Sequence, residues 1–491
     1  MPPPLIAIYA LGSAGDVLPM IALGRALHTR CNYRIRMITP GKWKDRILEE
    51  GLEFFDHHDD PIMCTTDGFE TKEIELFVKY RGDPRGVAAL MRASASVLEY
   101  LYRTVDEHLK DVDLAVLVNV GVGLQDDLQA RGIPFVVCNL QPGRATQDYP
   151  PPMMSQLYQP DSKQTGYSNI MSWASYGFIA IWNLNPIFQA RRRALGYRRG
   201  FLPSSVTILY DVLQKLLTDG EALARTPFMC AFSPALLPIP SDFKPTMEHL
   251  FSGPLLLGPE LCAKPFVPAQ DLVDFLATGR IVYFGYGSLQ KIGPTSTKEI
   301  DHMSIWLAAI QELESQGLEL KAIFSFSWGQ EDIASAEADS KYQQLREDMD
   351  TLIGQKRVFR LLGSYPHTYL FPKCHVAVHH GGAGTTQTAA KYRLPAIIVP
   401  HFLDQPFMGS VAKHHGIGTV IDLDDFSTAT LVAALKDILL DRPEFYKKNC
   451  DRIADEMAKE DPIGGAVQLI QSLLQGNATP ESEGGSDDTA A

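Results

Sequence analysis

The sequence predicts an α/β protein made of two doubly wound halves, each a parallel sheet wrapped by helices, facing each other across a cleft. Three observations carry this. Short apolar runs alternate with helical patterns along most of the 491 residues. The alternation breaks in a Pro-, Gly- and Leu-rich stretch, Phe251–Pro268, and then restarts. In each half a strand runs into a glycine-rich turn that opens a helix, at Gly12–Asp16 and again at His379–Gly384.

In the first half, Leu5–Leu11 has the continuous apolar character of a strand buried on both faces. It ends in Gly12-Ser13-Ala14-Gly15-Asp16, and a helix is expected from Pro19 to Thr29, with proline near its first turn. Arg34–Thr39, Ala115–Val118 and Phe135–Asn139 are further strands, with helices at Trp43–Glu50 and Leu124–Ala130. Gly12 and Gly15 do not complete G-x-G-x-x-G, so no nicotinamide or flavin site is expected there. Pro142–Pro160 is irregular. Ser168–Gly200 carries Trp173, Tyr176, Phe178, Trp182 and Phe188, then Arg191, Arg192, Arg193, Arg198 and Arg199. This reads as a helical pair whose apolar face is core or pocket wall and whose arginines are solvated. The sharper alternative is a helix lying on a membrane surface, which would make peripheral membrane contact.

In the second half, Ile281–Phe284 ends in Gly285-Tyr286-Gly287-Ser288, followed by a helix over Ser296–Gln316 and a strand over Leu320–Phe326. Trp328–Gln344 is a polar loop or helix. Val358–Leu362 leads into Gly363-Ser364-Tyr365-Pro366, and Val376–Val378 and Ala396–Val399 flank a helix at Thr385–Tyr392. Thr428–Leu440, Phe445–Lys459 and Gly465–Leu474 are amphipathic helices. The domain reading is therefore 1–253, a linker at 254–268, and 269–474, with the last helix packing back on the first domain and a disordered tail at 475–491.

Composition narrows the function. The net charge is −13, from 45 basic and 58 acidic residues, which disfavours a nucleic-acid surface. Seven scattered cysteines with no C-x-x-C suit reduced thiols in the cytoplasm. The N-terminus lacks a signal-peptide pattern, and no run of about 18 apolar residues predicts a membrane span.

The stretch Val376–Gln405 is the most informative. Free N–H groups and the helix dipole at a strand–glycine turn–helix junction make an anion site. Gly381, Gly382 and Gly384 allow close approach, His380 adds a donor, and Thr385 and Thr386 add hydroxyls. Asp404 and Gln405 follow the next strand, at the sheet edge where ligands bind in open α/β folds, and suit a polyhydroxylated group. A diphosphate joined to a sugar fits both halves of this stretch.

Six blocks then carry a family resemblance over about Leu5–Leu474. Gly12–Pro19 resembles G-S/T-R-G-D-V-x-P. Ala231–Pro234 with Pro240–Asp242 resembles A-F-S-P…P-S-D-W. Val282–Ser288 resembles V-Y-V-G-F-G-S, and Gly363–His367 with Leu370–Pro372 resembles G-S-V-P-H-D-W-L-F-P. His379–Thr386 and Asp404-Gln405 resemble H-H-G-G-A-G-T-T and its downstream D-Q. These motifs are similar to those of the family 1 UDP-glycosyltransferases of GT-B architecture, in the branch of sterol glucosyltransferases and enzymes that glycosylate antibiotic aglycones.

The resemblance implies roles. Ser364 and its neighbour Tyr365 would meet uracil. Gly287, Ser288, His380, Gly382, Ala383, Gly384 and Thr385 would hold the diphosphate, and Asp404 and Gln405 the sugar. Asp16 would be the general base, with Ser13, Phe402 and Leu403 near the reaction centre. No metal and no cofactor are implied; the UDP-sugar is a co-substrate, and the partner is a lipophilic hydroxylated acceptor. The plain alternatives are a helix cap for Asp16 and for Asp404, and a satisfied strand-end histidine for His380. Asp422-Leu423-Asp424 has a metal-binding D-x-D form but precedes a helix start, so a cap is expected. His57-His58-Asp59-Asp60 reads as a solvated loop.

Three positions depart from the pattern: Ala14 replaces the branch's arginine, Leu403 replaces a small or hydroxylated residue, and Thr388 lies where plant relatives carry a ribose-binding glutamate. The leading expectation is inverting transfer of a hexose, glucose first, to a sterol, terpenoid, polyketide or phenol. The alternatives are an inactive UDP-sugar-binding or glycosyltransferase partner protein, and a nucleotide-sugar epimerase.

Overall fold

The computed structural model describes residues 2–476 apart from 57–75, 77–78, 81–82, 158–165, 198–211, 213–225, 244–248, 287–295, 327–339 and 363–364. The apolar runs become strands because a run without alternation can be satisfied only when both faces are covered. β1 (Leu5–Tyr9) is buried at all five positions. With β2 (Arg34–Thr39), β3 (Glu53–Asp56), β4 (Leu114–Val118), β5 (Phe135–Asn139), β6 (Phe228–Cys230) and β7 (His249–Phe251) it makes a parallel sheet of order β3-β2-β1-β4-β5-β6-β7.

A second parallel sheet holds β8 (Ile281–Gly285), β9 (Lys321–Phe326), β10 (Val358–Leu362), β11 (Val376–His379), β12 (Ala396–Ile398) and β13 (Gly418–Val420), in the order β10-β9-β8-β11-β12-β13. Each order reverses once, at β1/β4 and at β8/β11. A reversal sends neighbouring connections to opposite faces and opens a crevice at the carboxyl ends of the strands. The Gly12–Asp16 turn follows β1, and the His379–Gly384 turn follows β11, so both glycine turns lie at switch points.

Six helices shape the cleft: α1 (Ala14–Cys31), α2 (Pro84–His108), α3 (Gly166–Ala194), α4 (Ala383–Lys391), α5 (Gln405–His414) and α6 (Pro462–Gly476). α1 starts at Ala14 rather than Pro19, because Ser13 and Asp16 form a capping box that begins the helix five residues earlier. α2 opens with Asp83 accepting from the Arg85 N–H and proline in the first turn.

α3 corrects the expected helical pair: it is one 29-residue helix that continues past Pro186. A proline there forfeits a backbone bond, and the helix is held by contacts on both sides of it. It packs along α2. At its C-terminal end, Arg191 bonds Asp127, and Arg192 Nη1 meets Asp126 Oδ1 at 2.6 Å. Both carboxylates are buried, so these two arginines are anchors rather than solvated charges. Arg193 is exposed. Removing either buried partner would leave an unpaired charge, at a cost of about 3–5 kcal/mol.

Phe251, where the linker composition begins, ends β7 instead, and the extended connection to the second domain follows it. α6 packs against α1 and β7, burying Ile463, Ala466 and Ile470 beside the first sheet. The apolar core also crosses the cleft floor, where the Tyr149 and Phe407 rings meet edge-on at 6.2 Å. Six described cysteines are free thiols. Among the described residues, no helix is long and apolar enough to cross a membrane.

Candidate active site

At the first switch point the chain must turn sharply out of β1. Gly12 has φ +144°, and a Cβ there would lie 2.4 Å from Asp16 Oδ2. The absent side chain lets Asp16 fold back on the turn. Its Oδ2 accepts from the Ser13 N–H at 2.8 Å and the Ser13 hydroxyl at 3.1 Å, while Ser13 Oγ accepts from the Gly15 N–H at 3.2 Å. Ser13, not Asp16, is the N-cap of α1; Asp16 is the third helical residue and closes the capping box, and it also lines the cleft cavity. The cap fixes one carboxylate oxygen and with it the orientation of the other.

At the second switch point His379 ends β11, fully buried, and its Nδ1 accepts from the Gly381 N–H at 3.0 Å. His380 turns toward the cavity. A Cβ on residue 382 would sit 2.5 Å from His380 Nε2, so glycine is what admits the ring beside the start of α4. Burial, with repulsion from His367 second, pulls the His380 imidazole down to about 3. It is therefore neutral at physiological pH and presents one N–H. Its Nδ1 has no hydrogen-bond partner among the described residues. Gly382, Ala383, Gly384 and Thr385 line the same cavity. Thr386 does not join them: it is 2% exposed, turned into the protein one position further round the helix.

Asp404 and Gln405 stand at the mouth of α5. Asp404 occupies the N-cap position of α5 but makes no side-chain cap bond there, and it lines the cavity. Burial first, and to a lesser degree the Asp16 carboxylate, push it up to about 7, against the pull of its own backbone amide and of the Ala383 amide. Gln405 Oε1 accepts from the His401 and Phe402 N–H groups at 2.8 and 3.1 Å, so this oxygen braces the loop and only the Nε2 hydrogens remain for a ligand. Leu403 lines the cavity with a left-handed backbone, φ 58°. Holding a non-glycine residue there costs about 1–2 kcal/mol. Phe402 is buried against Ala89 of α2, in the cluster that Leu403 packs on, and does not itself line the cavity.

The cavity has a volume of about 1560 Å³ and takes walls from both domains. Opposite the polar edge, α3 contributes Trp173, Tyr176, Gly177, Ala180, Leu184 and Phe188. Trp173 Nε1 donates to the Tyr149 carbonyl at 2.8 Å, which satisfies its polar atom and leaves an apolar face. Tyr365 lines the cavity and packs edge-on against Phe266 of the interdomain connection, ring centres 5.5 Å apart. Phe266, Arg144 and Gln387 are lining residues that no local sequence signal singles out. Gly287, Ser288, Ser364, Arg198, Arg199 and the His57–Asp60 cluster lie outside the described residues. Asp422 accepts from the Leu423 N–H and caps a short turn, Leu423–Asp425.

Residues 343–471 match the family described as erythromycin biosynthesis protein CIII-like, C-terminal domain. A sterol 3-beta-glucosyltransferase of Arabidopsis thaliana is 28% identical over 481 residues, covering 96% of this chain and 66% of that protein. Another, from Vanderwaltozyma polyspora, is 26% identical over 480 residues, covering 95% of this chain and 34% of that one. The chain thus spans about two thirds of the plant relative and one third of the yeast one. The calicheamicin glycosyltransferase CalG4 superposes with a TM-score of 0.59 at 16% identity, covering 98% of this chain and 100% of its own. The Streptomyces sp. SF2575 glycosyltransferase SsfS6, complexed with thymidine diphosphate, gives 0.53 at 16%, covering 95% and 99%. These structures share the GT-B fold with this chain.

Proposed function

We propose that this chain, a GT-B protein with homologues among the sterol 3-beta-glucosyltransferases, is an inverting glycosyltransferase that moves a hexose, glucose first, from a UDP-sugar to a hydroxyl of a lipophilic acceptor. The observation that carries this reading is one cavity edged by Asp16 on one side and by His380, the start of α4 and Asp404 on the other, with an apolar wall on α3. The diphosphate would rest on the α4 amides and the His380 N–H, which offset the charge of the departing UDP. No metal is assigned to that task. Asp404 and the Gln405 amide would hold sugar hydroxyls. Tyr365 would border the base.

In the reaction the acceptor oxygen bonds to the anomeric carbon as the bond to the UDP oxygen breaks. The acceptor proton passes to Asp16. A carboxylate is a weak base for a resting alcohol, and it serves because the hydroxyl becomes acidic as it attacks. Attack opposite the leaving group turns an α-linked donor into a β-glycoside. The apolar wall supports a lipophilic acceptor, such as a sterol, terpenoid, polyketide or phenol. Peripheral membrane contact is part of the proposal: Tyr167, Met171, Phe178 and Trp182 form an exposed outer stripe on α3, behind the cavity wall. The free thiols suit a cytoplasmic setting.

The test is incubation of the purified protein with UDP-glucose or TDP-glucose and a panel of sterols, terpenoids, polyketides and phenols, with and without a chelator. Glycoside and released nucleotide are expected, undiminished by the chelator. Tight UDP binding with no transfer to any acceptor would favour an inactive sugar-nucleotide-binding protein instead.

A further inference from the structure

A side chain of the helix that would carry the diphosphate reaches across to the other domain. Gln387 lies on α4, one turn past Ala383, is 1% exposed and lines the cavity. Its Oε1 accepts from the Ser233 N–H at 2.8 Å, and its Nε2 donates to the Ala231 carbonyl at 3.5 Å. Both partners are main-chain groups in the loop after β6. The carboxamide thus fills, across the domain boundary, the donor and acceptor places that a neighbouring strand would fill.

The same loop is held from a second side. The Ser233 hydroxyl donates to Glu460 Oε1 at 2.6 Å and accepts from the Ala235 N–H at 3.2 Å. Glu460 lies where the chain returns toward the first domain, and a Cβ on Gly253, at the start of the outward connection, would sit 2.2 Å from its other oxygen. Ser233 therefore sits beside both chain crossings and touches α4 directly.

We infer that Gln387 is a positioning residue: its carboxamide sets where the start of α4, and the diphosphate held there, stands relative to Asp16. This rests on the proposed function. A helix is a stiff rod rising 1.5 Å per residue, so Gln387 is a fixed point about 6 Å from the anion site. Reacting atoms misplaced by about 1 Å can lose about a hundredfold in rate.

Gln387→Met keeps the length and removes both hydrogen bonds. It is expected to lower kcat by about 10- to 100-fold per folded molecule, to change the Kd for UDP by less than about threefold, and to speed amide exchange at residues 231–235. Gln387→Glu keeps the acceptor for the Ser233 N–H and should retain several-fold more turnover than Gln387→Met. A lowered Tm with unchanged kcat per folded molecule would reduce Gln387 to a packing role and overturn the inference, as would Gln387→Glu doing no better than Gln387→Met. If the wild-type protein transfers no sugar, the proposed function fails separately. The distance between spin labels on the two domains then decides: a shifted or broadened distribution in Gln387→Met supports the tie, and an unchanged one overturns it.

Discussion

The two switch points share one backbone plan and carry opposite chemistry. Each is a buried strand, a glycine turn and a helix start. At Gly12–Asp16 the turn closes on itself, because Asp16 Oδ2 takes up the Ser13 N–H and hydroxyl. What is left for the cleft is a fixed carboxylate. At His379–Thr385 the N-cap is Gly382, which has no side chain to close the turn, and the Asp404 carboxyl reaches the Ala383 amide from the next loop. What is left there is a set of amides and a neutral imidazole. A helix N-terminus is thus an anion site or a mount for a base, depending on whether its own sequence supplies the anion.

Breaking the first loop should have the largest effect. Asp16→Asn keeps the shape and removes the proposed proton acceptor, so kcat should fall by about 10³–10⁴-fold. UDP binding by calorimetry should stay near wild type, since the proposed diphosphate site is on the other loop. Turnover near wild type in this variant would remove Asp16 from the chemistry. In the second loop, His380→Ala deletes one of several donors, and a loss of about 10²–10³-fold is expected. Because burial keeps this ring neutral, its pH–rate profile should show no histidine step between pH 5 and 8 that His380→Ala abolishes.

The smallest effect joins the two loops. Asp404 is raised to about 7 by burial and by Asp16. The folded protein therefore binds a proton that the unfolded chain, with an ordinary carboxyl near 4, has released. Stability from this group is full below about pH 4 and is lost as pH rises toward 7. Asp404→Asn should accordingly gain on wild type between pH 5 and pH 8, by about 1–2 kcal/mol once solvent at the cleft mouth is allowed for. Denaturant titrations at the two pH values read this directly, and an equal difference at both would refute the raised carboxyl.

Both loops were legible in the sequence because their signals are local: a capping residue, glycines, and a strand feeding a helix. The two-domain fold was legible because its strands lack alternation. β6 and β7, of three residues each, were not assigned, since so short a run has no period to read. α2 was missed although Asp83-Pro84 is a start signal. What failed was tertiary. Arg191 and Arg192 look solvated until Asp126 and Asp127 are brought beneath them. Phe402 sits beside Asp404 and Gln405 in sequence yet packs on α2. Gln387 has no meaning until the loop after β6 is placed against it.

The opposition of the two loops has one consequence that neither could produce alone. If the acceptor is activated by Asp16 while the nucleotide departs toward α4, the sugar is attacked on the face away from the leaving group. The anomeric configuration of the product, read by NMR from a reaction with an α-linked UDP-sugar, tests this most directly. A β-glycoside is predicted; an α-glycoside would contradict the opposed arrangement.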